Sequence, residues 1–227
     1  DADYLKNLTT VYSLLGFVIS LLLVFRTNTA YDRWWEGRKM WGSMVNDTRN
    51  FVSKISVLEI SQESRLRVRG LVPLYAFCVK EHLRSNRVDA LAFLTEEEKL
   101  AFKHTDHQPL WVVKELRELI QALKNQNKID NIELSLFNQN LDRLVDSLGA
   151  CERIRNTPIP FSYSLFIKKF IFIYVVTMPL AFVELFGYYS IFISTFVFYA
   201  LVSMELLAEE IEDPFGTDEN DLPTDAL

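Results

Sequence analysis

Two stretches almost without charge constrain what this chain can fold into. Leu8–Phe25 is 18 residues long and has no charged side chain, and residues 170–204 contain a single charge, Glu184. A helix needs about 20 apolar residues to cross a hydrocarbon core of about 30 Å. The first stretch therefore suits one membrane span, and the second suits two.

The second stretch divides naturally at Gly187, within "ELFGYY". We predict spans over residues 170–186 and 188–207, joined as a helical hairpin by a very short connection. Pro179 is tolerated inside a membrane helix and predicts a kink there. The alternative is a soluble fold with buried core helices, which would have to hide both uncharged stretches within 26.5 kDa.

Charge is distributed unevenly along the chain. The first 169 residues contain all 24 basic residues and 20 acidic ones, whereas the remainder contains ten acidic residues and no Lys or Arg. The net charge of −6 therefore comes from the C-terminal part. An acidic balance argues against nucleic acid as a partner, because nucleic-acid binding needs a basic face.

Basic residues near the ends of spans determine their orientation. Those beside the predicted spans are Arg26, Arg33, Arg38, Lys39, Lys168 and Lys169. This pattern predicts that residues 26–169 and the C-terminus lie in the cytosol, with the hairpin turn and residue 1 outside. Since no secretory signal is visible, we expect a further span upstream of residue 1.

The predicted cytosolic part has helical periodicity throughout. No proline occurs between Val11 and Gln62, so we expect the first span to continue as one long helix into the cytosol. Pro73 predicts a disturbance in the next helix. Two amphipathic stripes follow, at Val112, Leu116, Leu119 and Leu123, and at Leu134, Phe137, Leu141, Leu144 and Leu148. No segment alternates as a strand would, and the fold class is therefore predicted to be all-α.

Motifs of enzyme chemistry are absent from the sequence, which contains no P-loop, dinucleotide fingerprint, HExxH or nucleophile elbow. Cys78 and Cys151 are too few and too far apart to indicate a disulfide framework or a metal site. His104 and His107 are three residues apart, but Pro109 follows them and favours a loop over a metal site. We therefore predict no enzyme, no metal and no cofactor.

Three motifs, "FRTNTAYDRWWEGRKMWG", "IPFSYSLFIKKF" and "AEEIEDPFGTDENDLPTDAL", resemble the bestrophin ion channels, in particular their bacterial homologues. The resemblance covers nearly the whole chain and preserves the order of the motifs. The resemblance implies that the family's first transmembrane helix would lie upstream of residue 1. The resemblance implies a homo-pentamer around a central pore, embedded in a lipid bilayer.

The family resemblance also implies a hydrophobic neck in the pore helix, at Phe17, Leu21 and Phe25. A spacing of four keeps the three residues near one helix face, so five copies would form stacked apolar rings. Such a constriction gates by dewetting. Spacing alone favours a different explanation, in which the three residues are helix-packing or lipid-facing side chains.

A second constriction is implied at Ile159, between Pro158 and Pro160, where the alternative is a simple loop entering a span. In animal members, an acidic cluster after the last span binds calcium. Asp218 and Asp221 match acidic positions of that cluster, but Thr217 and Asn220 interrupt it. We therefore predict weak or no calcium binding and a solvated or paired acidic tail.

The resulting assignment is a multi-pass channel of the bacterial inner membrane. It comprises a pore-lining helix (8–25), a cytosolic helical domain (26–169), a transmembrane hairpin (170–207) and an acidic cytosolic segment (208–227). Animal relatives conduct chloride, bacterial homologues have been described as cation channels, and an acidic mouth attracts cations. We therefore predict small monovalent cations such as sodium. The alternatives are an anion channel and a non-conducting helical scaffold anchored in the membrane.

The aromatic residues after Phe25 have a role of their own in this assignment. Tyr31, Trp34 and Trp35 follow the first span closely, and Trp and Tyr prefer the boundary between membrane and water. We expect them to anchor that boundary. In a pentamer they would also pack between subunits just below the neck.

Overall fold

The computed structural model describes residues 2–89 and 93–225, with side chains from Leu8 onward. The elements of these ranges are seven helices: α1 (Ala2–Ser56), α2 (Gln62–Leu83), α3 (Glu96–His104), α4 (Gln108–Asn125), α5 (Asn131–Asn156), α6 (Phe161–Phe186) and α7 (Tyr189–Glu212). The predicted all-α fold is confirmed. Residue 1, predicted to lie outside, and residues 226–227 of the predicted acidic segment fall outside the described residues.

Within the part of the chain that the structure describes, three helices are long and apolar enough to cross a membrane: residues 8–56 of α1, α6 and α7. No proline precedes residue 73, so no missing amide interrupts α1 over its 55 residues. α2 continues through Pro73 and α6 continues through Pro179. Chain contacts divide the described residues into two compact units, and α1 contributes to both.

The first unit contains α1 up to Trp35, together with Thr157–Pro214 and Asp218–Asp221. α6 and α7 pack against each other as a hairpin. Gly187 ends α6 with φ 54° and ψ −136°, a conformation essentially limited to glycine. Its N–H donates to the carbonyl of Val183 at 2.7 Å, which closes the last turn of the helix.

One face of α1 packs against α6 in this unit. The buried residues of this core are Tyr12, Ile19, Leu23, Ile167, Ile171, Tyr174, Val175, Met178 and Ala181. The rings of Tyr12 and Tyr174 lie 5.4 Å apart. Gly16 leaves room for the Tyr174 side chain, because an added Cβ would lie 2.8 Å from the Tyr174 hydroxyl oxygen.

The second unit contains Glu36–Asn156, Phe215–Thr217 and the described residues from Leu222. α2 packs on α4 and α5, and α4 also packs on α5. Most of the two predicted apolar stripes is buried between these helices, while Leu119 and Leu134 are partly buried. Because charged residues occupy the opposite faces of α4 and α5, burial of the stripes stabilises a helical bundle.

Short polar motifs begin and anchor the elements of this bundle. The Thr95 hydroxyl accepts from the Glu98 N–H, and the Glu98 carboxylate accepts from the Thr95 N–H, which forms a capping box at the start of α3. Near the C-terminus, the Asp225 carboxylate accepts from Lys80 at 2.8 Å and from Arg84 at 3.1 Å. These contacts hold the segment around Asp225 against the C-terminal part of α2.

Candidate ion pathway

The predicted neck residues lie on an uncovered face of α1. Phe17 is 67% exposed, Leu21 43% and Phe25 56%. At 3.6 residues per turn, their mean direction is about 180° from that of the buried face containing Ile19 and Leu23. The helix therefore buries one apolar face against α6 and presents a second apolar face that no described residue of the first unit covers.

Arg26, the residue after Phe25, points into the first unit and is only 1% exposed. Its Nη2 lies 2.7 Å from Oε2 of Glu212, and its Nε lies 3.6 Å from Oε1 of Glu205. A buried guanidinium is stable only with such paired charge. Arg26 therefore adds little net positive charge to the exposed apolar face.

The Glu212 side chain connects Arg26, the residue after the predicted neck, to Ile159 of the predicted constriction. While Oε2 accepts from Arg26, Oε1 accepts from the backbone N–H of Ile159 at 2.6 Å. The carbonyl of Glu212 accepts from Arg33 Nε at 3.2 Å, and another nitrogen of Arg33 donates to the carbonyl of Thr157. One residue at the end of α7 thus holds both α1 and the loop before α6.

Ile159 lies in that loop and is half-buried. Pro160 follows as the N-cap of α6, with φ −53° and ψ 125°. The proline on each side restricts the local backbone to extended conformations. The amide of Ile159 has its partner in Glu212, so the loop conformation is determined by an ion-paired carboxylate as well as by the prolines.

The aromatic residues below Phe25 form a stacked group. The ring centroids of Tyr31, Trp34 and Trp35 are 6.2 to 6.4 Å apart, with interplanar angles of 20° or less. Trp34 Nε1 donates to the carbonyl of Asn220 at 3.0 Å, and the Asn220 amide donates to Glu210 at 2.8 Å. The group therefore also binds the acidic tail, whereas its role at a membrane boundary stays a prediction.

Asp218 and Asp221 form a compact turn. The Asp218 N–H donates to Oδ2 of Asp221 at 2.6 Å, and the Asp221 N–H donates to the Asp218 carbonyl at 3.1 Å. One carboxylate oxygen of this pair, which matches acidic positions of the calcium-binding cluster in animal members, is thus engaged by the backbone. Weak or absent calcium binding stays a prediction.

The two cysteines are free and buried in the second unit. Burial raises the pKa of the Cys78 thiol and that of the Cys151 thiol to about 12. Because the thiolate is the reactive form, both side chains behave as small apolar groups.

Sequence analysis did not find Arg26, Glu205 or Glu212 as a group. The available signal was positional, since Arg26 is the first charge after one apolar stretch and Glu205 is the first after the other. A lone charge at the end of a span usually lies at the membrane surface. Only the packing of α1 beside α7 shows that these charges are paired inside the unit.

Known proteins match this chain over nearly its whole length. The family model "Bacterial/Fungal Bestrophin protein" matches residues 3–227. A voltage-dependent anion channel-forming protein of Nostoc sp. is 38% identical over 219 residues, which cover 93% of this chain and 71% of the relative. The voltage-dependent anion channel-forming protein YneE of Escherichia coli K12 is 31% identical, covering 95% of this chain and 72% of the relative.

A solved structure matches as well. The crystal structure of a bacterial bestrophin homologue from Klebsiella pneumoniae, carrying one mutation, aligns with a TM-score of 0.90 and 31% identity. The alignment covers 96% of this chain and 82% of that one. The family match and the channel names of these relatives identify a membrane channel, as predicted, and not an enzyme. The chain belongs to the bestrophin family.

Proposed function

We propose that five copies of this chain form an anion channel with α1 around the central axis. The observation that supports this most directly is the second apolar face of α1, where Phe17, Leu21 and Phe25 remain exposed opposite the face packed on α6. Five such faces around an axis would form three apolar rings. A narrow apolar tube loses its water, and an ion inside it loses hydration.

The choice of anions rests on the relatives. Two proteins of 38% and 31% identity bear the name of voltage-dependent anion channel-forming proteins. These names favour the anion-channel alternative over the predicted conduction of monovalent cations such as sodium, for which the acidic tail is one argument. Within the first unit, two of the tail's acidic side chains, Glu209 and Glu212, are paired with Lys168 and Arg26. Their charges are therefore not free to attract cations.

A cation channel remains the second candidate because of Asp32. This residue is exposed and lies seven residues after Phe25, which returns it to the direction of the neck face after about two helical turns. Five copies of Asp32 below the neck would attract cations. Selectivity thus depends on whether this ring outweighs the remaining charges along the pathway.

In the proposed orientation, the channel lies in the bacterial inner membrane and residues 26–169 lie in the cytosol. Basic residues follow the first span, and Lys168 and Lys169 precede the predicted span over residues 170–186, as expected for cytosolic flanks. The turn at Gly187 contains no Lys or Arg and would lie on the outer side. A Tyr188→Cys variant tests this topology, because Tyr188 is 90% exposed. A thiol reagent that cannot cross the membrane should label this variant in intact cells.

Reversal potentials in planar bilayers test the function. Under a tenfold potassium chloride gradient, the equilibrium potentials of chloride and potassium are each about 59 mV from zero, with opposite signs. A reversal potential on the chloride side supports the proposal, and one on the potassium side replaces it with the cation candidate. The complete absence of current supports the scaffold alternative. Native mass spectrometry of the same sample counts the subunits and must find five.

A further inference from the structure

We propose that His82, His107 and Glu152 form a binding site for a divalent transition metal ion of the zinc type. Each comes from a different helix of the second unit: His82 from the last turn of α2, His107 from the N-cap of α4, and Glu152 from α5. Among the residues that the structure describes, they are the one group of three or more metal-ligating side chains with ligand atoms close together. The inference is independent of ion conduction.

The three ligand atoms already lie close together. Nε2 of His82 lies 2.7 Å from Oε1 of Glu152, and Nε2 of His107 lies 2.8 Å from the same oxygen. All three atoms lie within 4.8 Å of one another. Tetrahedral zinc with bonds of 2.0–2.2 Å needs neighbouring ligand atoms about 3.3 Å apart. To make room for the ion, the Glu152 oxygen must move about 0.5–0.6 Å farther from each imidazole nitrogen. The two nitrogens, which are at most 4.8 Å apart, must end about 3.3 Å apart.

The chemistry of the donors selects the class of metal. Two imidazole nitrogens and one carboxylate oxygen match the three protein ligands of an open zinc site, with water as the fourth. Nitrogen donors disfavour Ca²⁺ and Mg²⁺, which prefer oxygen. The side chains of His82, His107 and Glu152 are 30%, 30% and 27% exposed, so an ion has access from solvent and space for a water ligand.

The surrounding residues hold the ligands in place and set the cost of binding. Arg155 donates to the backbone carbonyl of His82 at 3.1 Å, which fixes the end of α2. The Leu110 N–H donates to Nδ1 of His107 at a long 3.4 Å. Metal binding through Nε2 moves the imidazole proton to Nδ1 and gives up this weak bond. The free-energy cost of metal binding is therefore higher at His107 than at His82.

The arrangement has a purely structural alternative, in which both imidazoles simply donate to the carboxylate. The ring centroids are 4.4 Å apart, and the three side chains would then brace α2, α4 and α5 without any ion. The two possibilities differ in one measurable respect. If the three side chains only form structural hydrogen bonds, the chain has no specific affinity for Zn²⁺ or Co²⁺. If they form a metal site, each chain binds one ion.

Isothermal titration of Zn²⁺ into the chelator-treated full chain in detergent tests the proposal. We expect one saturable site per chain, and visible bands of tetrahedral Co²⁺ when Co²⁺ replaces Zn²⁺. His82→Gln and Glu152→Gln should each weaken binding by about 100-fold or more, since loss of even an outer-shell partner weakens binding by about 10- to 100-fold. His104→Gln is the matched control, because His104 is exposed at the end of α3 and lies outside the cluster.

Two results would overturn the proposal. One is the absence of a saturable Zn²⁺ site in the wild-type chain. The other is an affinity in His82→Gln equal to that in His104→Gln. If Glu152→Gln fails to fold, the two histidine variants still decide the question, with thermal unfolding of each metal-free variant as the check on folding. A chain that binds Zn²⁺ but conducts no ions would support this site and refute the channel.

Discussion

Replacing Glu212 by glutamine removes the negative charge that contacts Arg26 and keeps the size of the side chain. Arg26 is 1% exposed and Glu212 is 14% exposed, so water compensates for little of the loss. The two Glu212 oxygens accept from Arg26 at 2.7 Å and from Ile159 at 2.6 Å. The amide of glutamine has a single acceptor oxygen, so one of these donors must lose its partner.

The expected cost follows from these contacts. Breaking a buried ion pair from one side costs about 3–5 kcal/mol. Glu205 remains 3.6 Å from Arg26 and compensates in part, so we expect about 3 kcal/mol, the lower end of that range. For a chain of this length, each kcal/mol lowers Tm by roughly 2–4 °C, which predicts a decrease of roughly 6–12 °C.

Glu209→Gln is the matched control. It introduces the same substitution three residues earlier in α7, but the Glu209 pair with Lys168 is about half exposed on both sides. Exposed pairs contribute about 0–1 kcal/mol, so Tm should fall by no more than roughly 4 °C. Tryptophan fluorescence of the detergent-solubilised protein follows both melts. Equal decreases in the two variants would refute the argument that the Arg26–Glu212 pair is a buried structural link.

Three further substitutions and one titration test the proposed pathway. Leu21→Ala should widen the neck and raise single-channel conductance, whereas Leu180→Ala, at an exposed position of α6, should leave it unchanged. Ile159→Ala should change the permeability of large anions relative to chloride, and an identical permeability series would contradict the constriction. Asp32→Asn should move the reversal potential toward that of chloride, because it removes the negative charge nearest the neck face. Calorimetry with Ca²⁺ should show no saturable heat at micromolar concentration, and such a heat would contradict the prediction for the acidic tail.

Much of the fold follows from local sequence patterns. The uncharged stretches predict membrane helices because a charge in the hydrocarbon core is unfavourable at each position, independently of tertiary contacts. The glycine in "ELFGYY" predicts the hairpin turn, because only glycine readily adopts the backbone angles of Gly187. The long continuation of α1 follows in the same way from the absence of proline before residue 73. Each of these inferences depends on residues that are close in the chain.

The contacts between distant residues could not be predicted in this way. Sequence spacing pairs His104 with His107, but helix packing brings His107 to His82 and Glu152 instead. The spacing of Phe17, Leu21 and Phe25 shows that they share a face, but not which face is buried. Only the packing of α1 on α6 decides that this face is the exposed one.

By itself, the sequence determined that the chain is helical, that it can span a membrane three times, and where its charges lie. Hydropathy and backbone preference act over one or two helical turns, so they can be inferred from neighbouring residues. The pairing of Arg26 with Glu212, and of Glu212 with Ile159, was decided only by the tertiary structure. The physical reason is that a buried charge takes its partner from whichever helix packs beside it. The partner of Arg26, Glu212, is 186 residues away in the chain.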